Sequence, residues 1–172
     1  VLLLALACGA AAAPAPTAPA DAFEAGSTTA EIDVADLTDG ALDPEGLADL
    51  LASAGFADAT VRTWTTSATA GIRRVEARAL RFADGEGAAA YLDWIEEHPA
   101  DLVGGATRVA EDPYLLFAHE PGGCCPNKDV TQVLAAWAAG DVVWTLTVTG
   151  PEASEATATE IASAIEGSDD GA

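Results

Sequence analysis

The apolar positions divide the chain into short, well-marked elements. Leu47, Leu50, Leu51 and Ala54 fall at i, i+3, i+4 and i+7, one face of a helix. Asp43-Pro44-Glu45 provides its start, with an aspartate to cap, a proline at the first helical position and an acid in the first turn, and Gly55 provides its stop. Ala88, Tyr91, Leu92 and Ile95 repeat the spacing in a second helix that Asp84 can cap and Pro99 ends. A third begins at Gly150-Pro151-Glu152, where Ser154, Ala158, Ile161 and Ile165 align. Between the helices the period changes to two. Residues 60–67, 72–82, 114–119, 130–138 and 142–149 read as strands, with turns at 68–71 and at Gly140-Asp141.

The cleanest of these strands puts Val142, Trp144, Leu146 and Val148 on one face and Val143 with three threonines on the other. One buried and one wet face is the mark of an antiparallel sheet. In 72–82 the phase is mixed. Val75, Ala77 and Ala79 share a face, while Leu80 and Phe82 have the parity of Arg74, Glu76 and Arg78, which a bulge or burial on both sides would produce. The layout of turn, long strand, acidic break and amphipathic helix recurs in 71–97 and 140–166, which suggests a duplicated ββα unit. The expected fold class is α+β: an antiparallel sheet of four to six strands with helices on one face.

The chain opens on Leu2-Leu3-Leu4-Ala5-Leu6-Ala7-Cys8-Gly9, an apolar run that ends in a small residue, a cysteine and a glycine. This resembles the ending of a bacterial signal peptide, of the kind in which the Cys8 thiol is expected to take up a diacylglyceryl group and become the mature N-terminus. The positive n-region that normally precedes such a run is not in the sequence, so the precursor is expected to extend further upstream. Cleavage within residues 10–13, which offer small-x-small sites, would instead release the protein, and a buried core element is the third account. Pro14 and Pro16 cut the run short of the roughly 20 apolar residues a spanning helix needs. The expected organisation is a signal remnant at 1–8, an Ala/Pro-rich flexible tether at 9–40 that holds the domain clear of the bilayer, one domain at 41–167 and an acidic tail at 168–172.

Charge narrows the partners. With 28 acidic residues against 7 basic ones the net is −21, which excludes nucleic acid as a natural partner. The acids are scattered, as solubility requires, rather than blocked. Asp33, Asp36, Asp39 and Asp43 do not have calcium-loop spacing and read as a helix lead-in. Cys124-Cys125 is the most unusual local feature: outside the cytoplasm adjacent thiols can close a vicinal disulfide, either structural or redox-active. His119 and His98 do not complete a metal site with them, and no metal or other cofactor is expected. No Gly-x-Ser-x-Gly, phosphate loop or dinucleotide fingerprint occurs, so no catalytic residue can be named. Trp64, Trp137 and Trp144 are candidate pocket aromatics, with core packing as the plainer role.

The Leu-Ala-Cys-Gly start, the Ala/Pro tether and the closing Gly-Asp-Val-Val-Trp-Thr-Leu-Thr-Val-Thr-Gly-Pro before an Ala-rich helix resemble the small exported lipoproteins of high-GC Gram-positive (actinobacterial) bacteria, grouped as domains of unknown function. That resemblance implies no active site. The expectation is a non-enzymatic protein, lipid-anchored at Cys8 to the outer face of the cell membrane or else freely secreted. Its domain would bind a small molecule or an envelope protein in a pocket between helices and sheet. The alternatives from other classes are an extracytoplasmic thiol-redox protein using Cys124 and Cys125, and a passive envelope component.

Overall fold

A computed structural model describes residues 12–16, 26–66, 70–119 and 131–169, with side chains described up to residue 166. Among these, seven strands form one sheet: β1 (Ser27–Ile32), β2 (Phe56–Thr65), β3 (Arg74–Phe82), β4 (Thr107–Ala110), β5 (Leu115–His119), β6 (Thr131–Ala139) and β7 (Val142–Gly150). Their spatial order is β1-β2-β3-β7-β6-β5-β4, and each neighbouring pair is antiparallel. The α+β class is as the sequence patterns predict, but the sheet has seven strands instead of four to six. The two unforeseen strands are the edges. β1 lies in the stretch given to the tether and β4 between the second expected helix and the strand expected at 114–119, because edge strands carry little apolar patterning; β4 is a four-residue strand with a register shift between Arg108 and Ala110.

Among the described residues five helices accompany this sheet: α1 (Val34–Thr38), α2 (Pro44–Ser53), α3 (Gly85–Glu97), α4 (Pro99–Leu102) and α5 (Glu155–Asp169). Their starts follow capping chemistry. The Asp33 side chain accepts from the Asp36 N–H and the Asp36 side chain from the Asp33 N–H, both at 3.0 Å, a capping box that starts α1 inside the expected tether. Asp43 accepts from the Gly46 N–H at 3.0 Å and Asp84 from the Gly87 N–H at 2.9 Å. The last helix begins later than Gly150-Pro151-Glu152 predicts, because the Ser154 hydroxyl accepts from the Thr157 N–H at 3.2 Å and makes Ser154 a cap, not a stripe residue.

The helices take both faces of the sheet, not one. Leu47 and Leu51 of α2 and Ala88, Tyr91 and Ile95 of α3 bury against Leu80, Phe82 and Val143. Ala158, Ile161, Ala162 and Ile165 of α5 bury against Val75, Leu146 and Val148 on the opposite side. Two-sided burial is therefore the explanation of the mixed phase in β3, whose buried residues alternate as far as Ala79 and then continue through Leu80. The two strand–strand–helix stretches recur as an element order. Their helices occupy opposite faces, a geometry that a two-fold relating adjacent antiparallel strands does not produce. The Tyr114 hydroxyl donates to Glu166 at 2.8 Å and ties the approach to β5 to α5.

Candidate functional site

α3 covers only one end of its face of the sheet. The register defines what lies beyond it. Successive rows across β2, β3, β7, β6 and β5 read Thr65·Arg74·Thr149·Gln132·His119, then Thr63·Glu76·Thr147·Leu134·Phe117, then Val61·Arg78·Thr145·Ala136·Leu115. In the next row, Ala59·Leu80·Val143·Ala138, the first three are already buried under the helices while Ala138 is exposed. One face thus changes from apolar to polar along its length. The polar part is a groove of about 300 Å³ with Arg74, Glu76, Arg78, Thr145, Thr147, Thr149 and Gln132 around it and Leu102 and Leu134 as its apolar side.

Glu76 organises the groove. Arg78 donates to it through Nε at 3.0 Å and approaches it through Nη2 at 2.8 Å. Arg74 donates through Nη2, and the Thr63 hydroxyl donates at 3.4 Å. Burial opposes ionisation of the Glu76 carboxyl, yet the charges and hydrogen bonds of Arg78 and Arg74 outweigh it and hold the group below the usual carboxylate range. An ionised acid held by two guanidinium groups is a poor general base. It is a good positioner: it fixes two five-donor forks and, among the described residues, leaves donors of each unspent. Arg78 also lies close enough to α3 to act on Tyr91, whose phenol burial pushes up to about 12 against the opposing pull of the Arg78 charge.

The sign of the Glu76 shift gives a measurable consequence. Its ionised form stabilises the fold at pH values above the ordinary carboxylate range, and that contribution is lost as pH falls through the lowered folded value. Glu76→Gln is expected to unfold at a lower temperature than the unaltered chain at pH 7, with the gap closing towards pH 3. Thermal melts across that range check this, and a gap that does not depend on pH would contradict it.

The tryptophans lie elsewhere. Trp64, Trp137 and Trp144 are buried in the opposite, α5-covered core, at 0, 5 and 3% exposure. Trp137 and Trp144 are register partners and stack with centroids 6.0 Å apart, and Tyr114 tilts onto Trp137 at 5.1 Å. They border neither the groove nor the other two cavities described, which lie near Ala12 and Asp36 and near Ser53 and Asp84. The indole nitrogens of Trp64 and Trp137 are buried without a hydrogen-bond partner among the described residues. Cys8, Cys124 and Cys125 lie outside the described residues. His98 caps the end of α3, with its ring stacked on Trp94 at 5.2 Å. Among the described residues no group of three or more His, Cys, Asp or Glu is placed to hold a metal ion, and no helix is long and apolar enough to cross a membrane.

Signals for the groove are present in the sequence. They are the alternating charges Arg74, Glu76 and Arg78 and the three threonines on the second face of β7, and only the sheet order brings them side by side. No family model and no curated protein matches the chain. Among solved structures, the crystal structure of the extracellular domain of PknH from Mycobacterium tuberculosis is similar at 14% identity over 84% of this chain and 79% of that one, with a TM-score of 0.49.

Proposed function

We propose that this chain is a lipid-anchored, extracytoplasmic binding module without chemistry of its own, and that its ligand site is the groove on the β3–β7 face. The observation that carries the reading is the Arg74–Glu76–Arg78 constellation. In a chain with a net charge of −21 it places two cations around one acid in a concave, partly apolar site. The spare guanidinium donors, the threonine hydroxyls and the Gln132 amide suit a small polar molecule with one acidic group. Anchoring through Cys8 is supported by the apolar run and small residues before it.

The test is titration of the ¹⁵N-labelled full chain with acetate, L-glutamate, D-glucuronate and inorganic phosphate in turn. At least one is expected to shift amides along β3, β7 and β6 in a saturable way. Arg78→Ala should weaken that binding about tenfold or more, as loss of a charge-assisted contact does. Millimolar probe without saturable shifts in those strands would overturn the reading.

A further inference from the structure

We infer that residues 12–16 are a latch that fixes how the domain stands on its membrane, with the Asp58 end of the sheet towards the bilayer and the Arg74–Thr149 end of the groove away from it. The inference rests on the lipid-anchor reading above.

The stretch expected to be a free tether is bound to the sheet here. The Ala13 N–H donates to Asp58 Oδ1 at 2.5 Å, the Thr60 hydroxyl donates to the Ala13 carbonyl at 3.4 Å, and Arg62 Nη1 donates to the Pro16 carbonyl at 3.0 Å. Ala13 is only 7% exposed and Pro16 is buried. Asp58 is itself held, because its other oxygen pairs with Arg81. Prolines at 14 and 16 pre-set an extended backbone, so little chain entropy is lost on docking.

These contacts give the segment a direction. It passes Asp58 first and Arg62 later, so it runs along β2 from the Phe56 end towards the Thr65 end. Ala12, which precedes Ala13, accordingly lies at the Phe56 end, where it lines a cavity with Ile32, Asp33, Asp36 and Phe56. The register places Arg74, Thr149 and Gln132 at the opposite end of the sheet.

The leash is short. From Cys8 to Ala13 a fully extended chain spans at most roughly 18 Å, whereas with 12–16 undocked the chain up to β1 would have a typical span of roughly 20–25 Å and a far longer maximum reach. The acidic rim of Glu31, Asp33 and Asp36 is repelled by anionic headgroups, which favours standing on the leash over lying flat.

The experiment uses the full chain from a lipoprotein-processing bacterial host, checked by intact mass and placed in phosphatidylcholine bilayers with a minority of phosphatidylglycerol. Amide exchange and neutron reflectometry are read for the unaltered chain and for Ala13→Glu, which sets a second carboxylate against Asp58 while leaving the sheet residues in place. The expected result is an Ala13 amide about tenfold or more slower than in a free peptide, with the protein layer beginning within roughly 18 Å of the headgroups. In Ala13→Glu the layer should recede and residue 13 should exchange at the peptide rate, with β2 and β3 amides unchanged. A lipidated chain whose Ala13 exchanges freely, or whose layer is the same in both proteins, overturns the latch alone. A mass without lipid overturns the anchor, and the membrane orientation with it.

Discussion

Trp144→Ala is expected to cost about 3–5 kcal/mol of folding stability, the range for truncating a large buried aromatic. Trp144 is 3% exposed and stacked on Trp137, and its register partner on the other side is Ala79. Much of the surrounding core is alanine: Ala77, Ala79, Ala135, Ala153, Ala158 and Ala162 belong to the same buried cluster. Alanines have no side-chain length with which to fill the space an indole leaves, so most of the cavity should persist and the cost should fall in the upper part of the range. At about 2–4 °C per kcal/mol for a domain of this size, the melting temperature should drop on the order of 10 °C. Circular dichroism melts check this, and a loss below about 1 kcal/mol would mean that the pair is not a packed core element. Because Trp144 faces α5 and the groove lies on the other face, acetate or glutamate binding well below the melting temperature should be unchanged.

That contrast between faces also explains what the sequence could and could not tell. The period-2 alternation of β7 identifies a face of Val142, Trp144, Leu146 and Val148, and this is the face that packs under α5. The capped, amphipathic α2 and α3 are equally legible, because Asp43 and Asp84 act locally through the hydrogen bonds their positions predict. Legibility ends where the information is not local. β1 and α1 have no strong apolar period, and β1 is a strand because Ser27 to Ile32 find partners on β2 about thirty residues away. The side of the sheet that each helix takes is likewise set by tertiary packing, so the two ββα stretches look alike in sequence and pack oppositely.

The groove was half legible. Arg74, Glu76 and Arg78 stand out as charged positions sharing the parity of Leu80 and Phe82, and the conflict is resolved only by the length of α3, which shelters Leu80 and Phe82 and leaves the charged half uncovered. Large aromatics are candidates for lining a pocket, but their size is also what suits Trp137 and Trp144 to an alanine-rich core. The segment at 12–16 is the sharpest difference. Its Ala/Pro composition describes a linker, and composition does not register that Asp58, Thr60 and Arg62 offer it three polar partners in a row along one strand.

Gly150→Ala should be the next most costly change, and unlike Trp144→Ala it should also weaken the groove. Gly150 ends β7 with φ at +157°, and a methyl there would collide with the Gly71 carbonyl oxygen and stand 2.9 Å from Ile72 Cα and 3.0 Å from Arg73 N. All three are backbone atoms of one segment, held in place by Arg73 N–H donating to the Thr149 carbonyl at 2.8 Å and Glu152 N–H donating to the Gly71 carbonyl at 3.0 Å. Nothing flexible can give way, so the methyl must pry residues 71–73 off the end of β7. Overpacking of this kind costs about 1–3 kcal/mol, and a φ that side chains with a Cβ rarely adopt adds on the order of 1 kcal/mol. Arg74 and Thr149, the register pair at the far end of the groove, flank this contact directly. Any probe that saturates the groove of the unaltered chain should therefore bind Gly150→Ala more weakly even at temperatures where it is fully folded. A melting loss with groove affinity intact would show that residues 71–73 can move without carrying Arg74 with them. A variant as stable as the parent would mean that this close approach is not part of the native packing.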